Sequence, residues 1–430
     1  MISQPPVSVP GLYYIKIYFT MEPRCMNLSV AFTFEPGIIA RLAQFPCVKE
    51  VYGRLDRDCV GGGRAAFTLR HASRSRLIAS IREAHELGIA FNYLINAANL
   101  AGLEQTRAGQ NKIRALLDRI DESGADGVTI SAPYLLQIVK KMHPRLKTRV
   151  GVFAVVDNAE KARQWEELGA DVICVSAIAC NRDFPRLAAI RRSVKCDLEL
   201  LVNASCLPGC AYELTHMNML SQGSRGADPL KGFCLDYCFL NCSKRRLADP
   251  VNLVKAVWIR PEDIGCYEDL GYAWFKIVER GCPGDLLVKR VQAYAQRSFD
   301  GNLYELTAPV AQVKRGLGAS RMQLIRMAAI MARPWNVKLR AIMLMKQYAE
   351  LALVDFFDRN NAPVYIDNRA LDGFIDGMRS RGCGSRQCDE CGYCRAAAGR
   401  AVTIDPRYRE NVLALAARLD EGLASGGHWF

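Results

Sequence analysis

The chain has 430 residues, half of them hydrophobic, with ordinary Gly and Pro content and 23% charged residues, so a sizeable core is expected and a disordered or collagen-like chain is excluded. No apolar run reaches the roughly 18 residues of a membrane span, and the N-terminus lacks the basic, apolar and small-residue segments of a signal peptide. The net charge of +13 is spread over Arg64–Arg82, Lys140–Arg149 and Lys244–Arg246, without an aromatic-interleaved RNA-binding motif, so these regions read first as solvated helix faces and second as an RNA surface.

Residues 1–25 fit poorly with the strand and helix pattern of the rest of the chain and are expected to be an extension with little structure. Met26-Asn27-Leu28-Ser29-Val30-Ala31-Phe32 reads as a clean first strand, and the true start is expected at Met26. From there to residue 310, strand and helix patterns alternate. Strands are predicted over 28–34, 48–54, 90–95, 127–131, 149–155, 171–176, 198–202 and 274–278. Helices are predicted over 36–42, 75–87, 111–123, 134–142, 159–168 and 184–193. Eight strands with helices between them predict an α/β chain folded as a (β/α)8 TIM-like barrel over 26–310. Chemistry in such barrels sits at the C-terminal strand ends, which gathers Arg54, Asn96, Ser131, Asp157, Asn203 and Glu279 around one mouth. Taken singly, each is equally a turn former or a helix cap.

Between strands seven and eight lie Cys206, Cys210, Cys234, Cys238 and Cys242, too many thiols in a short span for ordinary core packing. Pro208 and Gly209 force a turn between Cys206 and Cys210, which aims two sulfurs at one point. Cys238 and Cys242, four apart, share a face on a helical turn. Two such pairs supply the four thiolates of a 4Fe-4S cluster, with Cys234 able to replace one of them. Zinc is the alternative, although four-cysteine zinc sites usually present C-x2-C pairs. With 17 cysteines and no secretory features, the chain is expected to be cytoplasmic and to use its thiols for metal or redox chemistry.

Residues 311–430 form a mainly helical, Cys-rich C-terminal extension. Apolar helices are predicted over 322–331 and 337–352, packed as core against the barrel, and further helices over 365–378 and 407–423. Cys383, Cys388, Cys391 and Cys394 make a C-x4-C-x2-C-x2-C knot whose first three members have plant-type ferredoxin spacing. A second cluster or a zinc ion is expected there.

These residues resemble the collagenase-like peptidase family U32 over most of 26–310. The likeness is most specific at Trp258-Ile259-Arg260-Pro261-Glu262-Asp263, Trp274-Phe275-Lys276-Ile277-Val278-Glu279-Arg280, Ala293-Tyr294 and Gly301-Asn302-Leu303. Members carry a Lys-Ile-Glu-Gly-Arg-like signature where this chain has Lys-Ile-Val-Glu-Arg. Despite the peptidase label, several relatives are iron–sulfur proteins of oxygen-independent hydroxylation. They act on ubiquinone precursors, a ribosomal RNA cytidine or a transfer RNA uridine, some with prephenate as oxygen donor.

The resemblance implies Cys206, Cys210, Cys238 and Cys242 as cluster ligands, and a small-molecule substrate or RNA. It also implies a paired U32-like subunit or an electron donor as partner. In this reading Arg54, Arg260 and Lys276 hold a carboxylate-bearing donor or substrate, and Glu279 or His216 moves protons, with Asn96 on the same rim. The alternatives are a U32-type peptidase, for which the chain has neither H-E-x-x-H nor G-x-S-x-G, and a non-catalytic iron–sulfur electron-transfer subunit.

Overall fold

The computed structural model describes residues 26–66, 69–226, 236–309, 362–383 and 388–428, with scattered positions between 339 and 347. The expected extension 1–25, Cys234, the helix over 322–331 and most of that over 337–352 lie outside the described residues.

Eight strands, β1 (Asn27–Ala31), β2 (Val48–Gly53), β3 (Ala90–Ile95), β4 (Gly127–Ile130), β5 (Lys147–Val150), β6 (Val172–Cys174), β7 (Asp197–Leu201) and β8 (Trp274–Ile277), close into a barrel in chain order. Every pairing is parallel, and β1 pairs with both β2 and β8. The fold is therefore a (β/α)8 barrel. Side chains alternate along each strand. Leu28, Val30, Phe91, Val128, Ile130, Ile173, Leu200 and Phe275 face the helices and build the main core.

The other strand face, turned inward, is polar. Arg149 lies between Glu50, with Nη2 2.9 Å from Oε2, and Glu199. Lys276 Nζ is 3.5 Å from Glu199 Oε2 and 4.0 Å from the centre of the Tyr52 ring. Ser29 Oγ donates to Glu50 (2.6 Å) and Thr129 Oγ1 to Asn92 Oδ1 (2.6 Å). Two carboxylates and two cations thus balance in the barrel interior. Such a buried network is held by its mutual pairing, because removing one partner strands the others without water.

Two elements differ from the sequence expectation. The fifth strand ends at Val150 rather than near 155, because a Cβ at Gly151 would sit 3.0 Å from Thr129 Cγ2 and the chain turns there into a short 3-10 helix, Val152–Ala154. Residues 365–378 are not one helix. Val364–Ile366 pairs antiparallel with Val402–Ile404, and the helix begins only at Phe374, after Gly373 at φ +73°.

The C-terminal region docks beside the thiol-bearing helix Tyr237–Ala248, through Arg409 Nη2 donating to the Ala248 carbonyl (2.6 Å) and a Lys244–Asp420 ion pair. Asn302 joins it to the end of the barrel, with Nδ2 on the Val364 carbonyl (2.8 Å) and Oδ1 taking the Ile366 amide (2.9 Å). Among the described residues no helix is long and apolar enough to cross a membrane.

Candidate active site at the barrel mouth

Arg54 follows β2 and is buried, its Nη2 2.7 Å from Asp58 Oδ2. Asp58 shapes the next loop, since its Oδ1 accepts the amides of Val60 (3.0 Å) and Gly61 (2.7 Å). Gly61 has φ +90°, and a Cβ there would lie 2.6 Å from Ser224 Oγ, so this turn requires glycine. Ser224 Oγ in turn accepts the Gly62 amide at 2.6 Å. The loop is thereby clamped to the end of the helix Glu213–Gln222, part of the segment that follows β7. Ser221 Oγ accepts the Ala98 amide (2.8 Å), so the same segment also crosses the loop after β3. The cysteine-bearing connection does lie across the barrel mouth.

Under that cover sit polar groups without partners. A Cβ on Gly62 would meet both Arg54 Nη1 and Asn96 Oδ1 at 3.0 Å, and both atoms are buried and unbonded. Ser131 Oγ, beside Gly151 and Asn96, is likewise unbonded. Glu279, past β8, pairs with Arg64 through Oε1, while its Oε2 is buried and free of hydrogen bonds. Arg280 is buried with Nη1 unbonded. Burial, then the Arg54 charge, with Arg64 adding to it, pushes its guanidinium down to about 9. Three guanidiniums therefore crowd one rim, with Asp58 paired to Arg54 and Glu279 to Arg64.

Glu279 has φ +97°, a backbone conformation that a residue with a Cβ rarely adopts. In the Lys-Ile-Glu-Gly-Arg-like signature the residue before the arginine is glycine. Glu279 therefore stands in the glycine place, and Val278 occupies the place of the acid.

The thiols adjoin this rim, since Arg64 feels Glu279, Asp236, Tyr52 and Cys206 together. Cys206 leaves β7 ahead of a turn at Gly209 (φ +61°), and its carbonyl accepts the Val257 amide at 3.0 Å. Asp236 caps the helix carrying Cys238 and Cys242 by accepting the Phe239 amide (2.8 Å), and its Oδ2 lies 3.0 Å from His216 Nε2. His216 thus ties the two thiol-bearing segments together. Desolvation and then Cys242, with Cys210 adding, push the Cys206 thiol up to about 12. Desolvation, Asp236, Cys210 and Cys242 do the same for Cys238, although its own helix contributes an opposing hydrogen bond. The four thiols occupy one electrostatic neighbourhood. Buried Arg246 points Nη2 at Cys242 Sγ (3.2 Å) and Nη1 at the Ser205 carbonyl (2.7 Å). A cation so placed favours thiolate over thiol.

Among the described residues, no three His, Cys, Asp or Glu side chains converge tightly enough to grip a single metal ion. Zinc at about 2.3 Å from each sulfur would draw four sulfurs to within about 4 Å of one another. Thiolates at the corners of a cluster stand farther apart than that. Cys234 lies outside the described residues.

The remaining expected site residues have other places. Lys276 belongs to the interior ion network. Arg260 turns away from the mouth, with Nη2 2.6 Å from Asp372 and Nε 3.3 Å from Glu262, and pins the C-terminal region to the barrel. Asn203 bridges β7 to β8 by exchanging hydrogen bonds with Val278 (2.8 and 3.3 Å). Asp157 pairs with Lys161. Cys383, Cys388, Cys391 and Cys394 line a separate cavity. Sequence patterns do not single out Arg280 or Arg246 or give Arg64 a role at the mouth; the signal available for Arg280 is its place in the signature motif.

A sequence model of peptidase family U32 matches residues 54–271. An uncharacterized protease of Methanocaldococcus jannaschii is 28% identical over 347 residues, covering 81% of this chain and 87% of that protein. A solved U32 peptidase is 20% identical, covers 64% of this chain and all of its own, and superposes with a TM-score of 0.45. A chitinase from Rhizomucor miehei, at 13% identity and a TM-score of 0.36, covers 63% of this chain and all of its own.

Proposed function

The chain belongs to peptidase family U32, and from that premise we propose that it is an iron–sulfur enzyme that modifies a carboxylate-bearing small molecule without dioxygen, by hydroxylation or a related oxygen-atom transfer. The observation that carries this reading is the crowd of guanidiniums at the mouth, where Arg54 and Arg280 each keep an unbonded buried N–H. An anion seated there relieves their mutual repulsion and fills those donors with charge-assisted hydrogen bonds. Asn96 and Ser131 supply neutral partners beside it. Glu279 holds or releases a proton at Oε2, its second oxygen being fixed by Arg64.

Cys206, Cys210, Cys238 and Cys242 are the residues that would hold a 4Fe-4S cluster, with Arg246 offsetting thiolate charge. Such a cluster would supply electron storage. A small molecule is favoured over RNA because three basic regions are partly neutralised, through Arg74–Glu122, Lys140–Asp171 and Lys244–Asp420.

A U32-type peptidase is the second reading, favoured by the Asp236–His216 pair, which resembles the orienting half of a thiol-protease triad. Against it, a nucleophilic cysteine beside His216 would be drawn from the same thiols that the cluster needs. Malonate added at neutral pH to the anaerobically purified protein separates the readings. A rise in Tm for wild type that is lost in Arg280→Met, together with bound iron and sulfide, supports the proposal. No malonate effect, with cleavage of peptides by iron-free protein, overturns it in favour of the peptidase.

A further inference from the structure

A second group of thiols meets away from the barrel mouth. Cys383, Cys388, Cys391 and Cys394 line one cavity of about 30 Å³, together with Lys255 and Arg381. That is more room than the ~10–15 Å³ a single water needs. The local chain explains the convergence. Cys388–Cys391 forms one helical turn, Gly392 at φ +62° reverses the backbone, and the helix Tyr393–Ala401 starts at once, bringing Cys394 back toward the first two. Cys383 closes the set from the end of the preceding helix, Phe374–Arg381.

The surroundings are those of a negatively charged occupant. Besides Lys255 and Arg381, buried Arg182 lies against the group, and its charge acts on both Cys383 and Cys394. The Arg182 guanidinium is stacked on Trp258 (4.3 Å) and donates Nη2 to the Ala256 carbonyl (2.7 Å), while its Nε is buried without a partner. Around four thiolates carrying a metal centre these three cations would form a neutralising shell. The sulfurs do not converge as tightly as a lone ion requires. Spacing and room together favour a cluster over zinc.

We propose that Cys383, Cys388, Cys391 and Cys394 hold a second iron–sulfur cluster, separate from the thiols at the barrel mouth. The two groups share one piece of backbone. Lys255 lines the cavity, and the Val257 amide bonds the Cys206 carbonyl at 3.0 Å. Two residues of chain span at most about 7 Å, so one short segment joins the two groups.

The test uses full-length protein purified without oxygen, with iron, acid-labile sulfide and zinc counted per chain. Wild type is expected to carry more iron and sulfide than one cluster accounts for, and Cys391→Ser/Cys394→Ser to lose about half of both while Cys206→Ser/Cys242→Ser loses the other half. After dithionite reduction, each double variant is expected to keep the electron paramagnetic resonance signal of one cluster, and wild type to show both. Zinc in Cys206→Ser/Cys242→Ser protein that vanishes on adding the C-terminal substitutions overturns the proposal, as does an unchanged iron count in Cys391→Ser/Cys394→Ser. Where that variant does not fold, wild-type iron for a single cluster that is lost in Cys206→Ser/Cys242→Ser overturns the proposal. Iron fully retained by Cys206→Ser/Cys242→Ser sinks the mouth reading instead and leaves this one standing.

Discussion

Replacing Glu279 separates backbone strain from charge at the mouth. Its φ of +97° with a Cβ attached costs about 1–3 kcal/mol. Glu279→Gly removes that strain, but the added freedom of the unfolded chain takes back about 0.5–1 kcal/mol. Glu279→Gln keeps the strained Cβ. Both variants remove the carboxylate that pairs with Arg64, so this loss cancels in the comparison. The glycine variant is therefore expected to be the more stable of the two by about 1 kcal/mol, which on the scale of a larger domain is roughly 2–4 °C in Tm. Circular dichroism melts of the two proteins, prepared side by side under anaerobic conditions without ligand, read this directly. Activity should fall in both, because neither keeps the free carboxylate oxygen. A glutamine variant that melts at or above the glycine variant would refute the assignment of residue 279 to the signature's glycine place.

The interior network and the thiols each give a further expected outcome. Glu199→Gln leaves Arg149 and Lys276 with Glu50 as the remaining carboxylate of the interior network, so a loss of about 3–5 kcal/mol is expected, partly recovered by adding Lys276→Met; a loss below about 1 kcal/mol in urea unfolding would show that the network does not pin the barrel. Burial, then the Asp236 charge, pushes the Cys238 thiol up to about 12 from an ordinary value of 9.0. A raised folded value gives stability that is complete below pH 9 and is lost as pH rises toward 12. Metal-stripped protein should thus lose Tm over that window, while loaded protein, whose thiols are already deprotonated, should not. Equal pH profiles for the two forms would contradict the thiol assignment.

The barrel is legible in the sequence because its outer strand faces and helices obey simple periods. Leu28, Val30, Phe91, Ile173 and Phe275 mark buried strands whatever lies on their other side. The helical pairing of Cys238 with Cys242 and the turn at Pro208-Gly209 are equally local, and both are present. Which polar residue faces the mouth is not legible in the same way. Ser29, Glu50, Asn92, Arg149, Glu199 and Lys276 alternate with apolar neighbours as solvent-facing residues do, yet they point into the closed barrel and satisfy one another there. Lys276 for that reason reads as a ligand-binding cation, although its partners lie on β7 and, beyond β1, on β2. Arg260 misleads through a long-range contact, since Asp372 is 112 residues distant and no spacing rule joins them.

The same limit explains why Arg280 escapes notice although it ends the most specific motif. One more arginine means little in a basic sequence; its meaning comes from Arg54 and Arg64 being brought beside it by the loop that follows β2. Closure of the barrel makes that meeting unavoidable, because β2 and β8 both flank β1 and their C-terminal ends must lie near each other. Like charges forced together by topology are destabilising unless a counter-charge arrives. Neither helix capping nor core packing accounts for keeping unbonded Arg54 and Arg280 donors buried at that point. The anionic ligand proposed above would, and the energy stored in their repulsion would become binding energy when it entered.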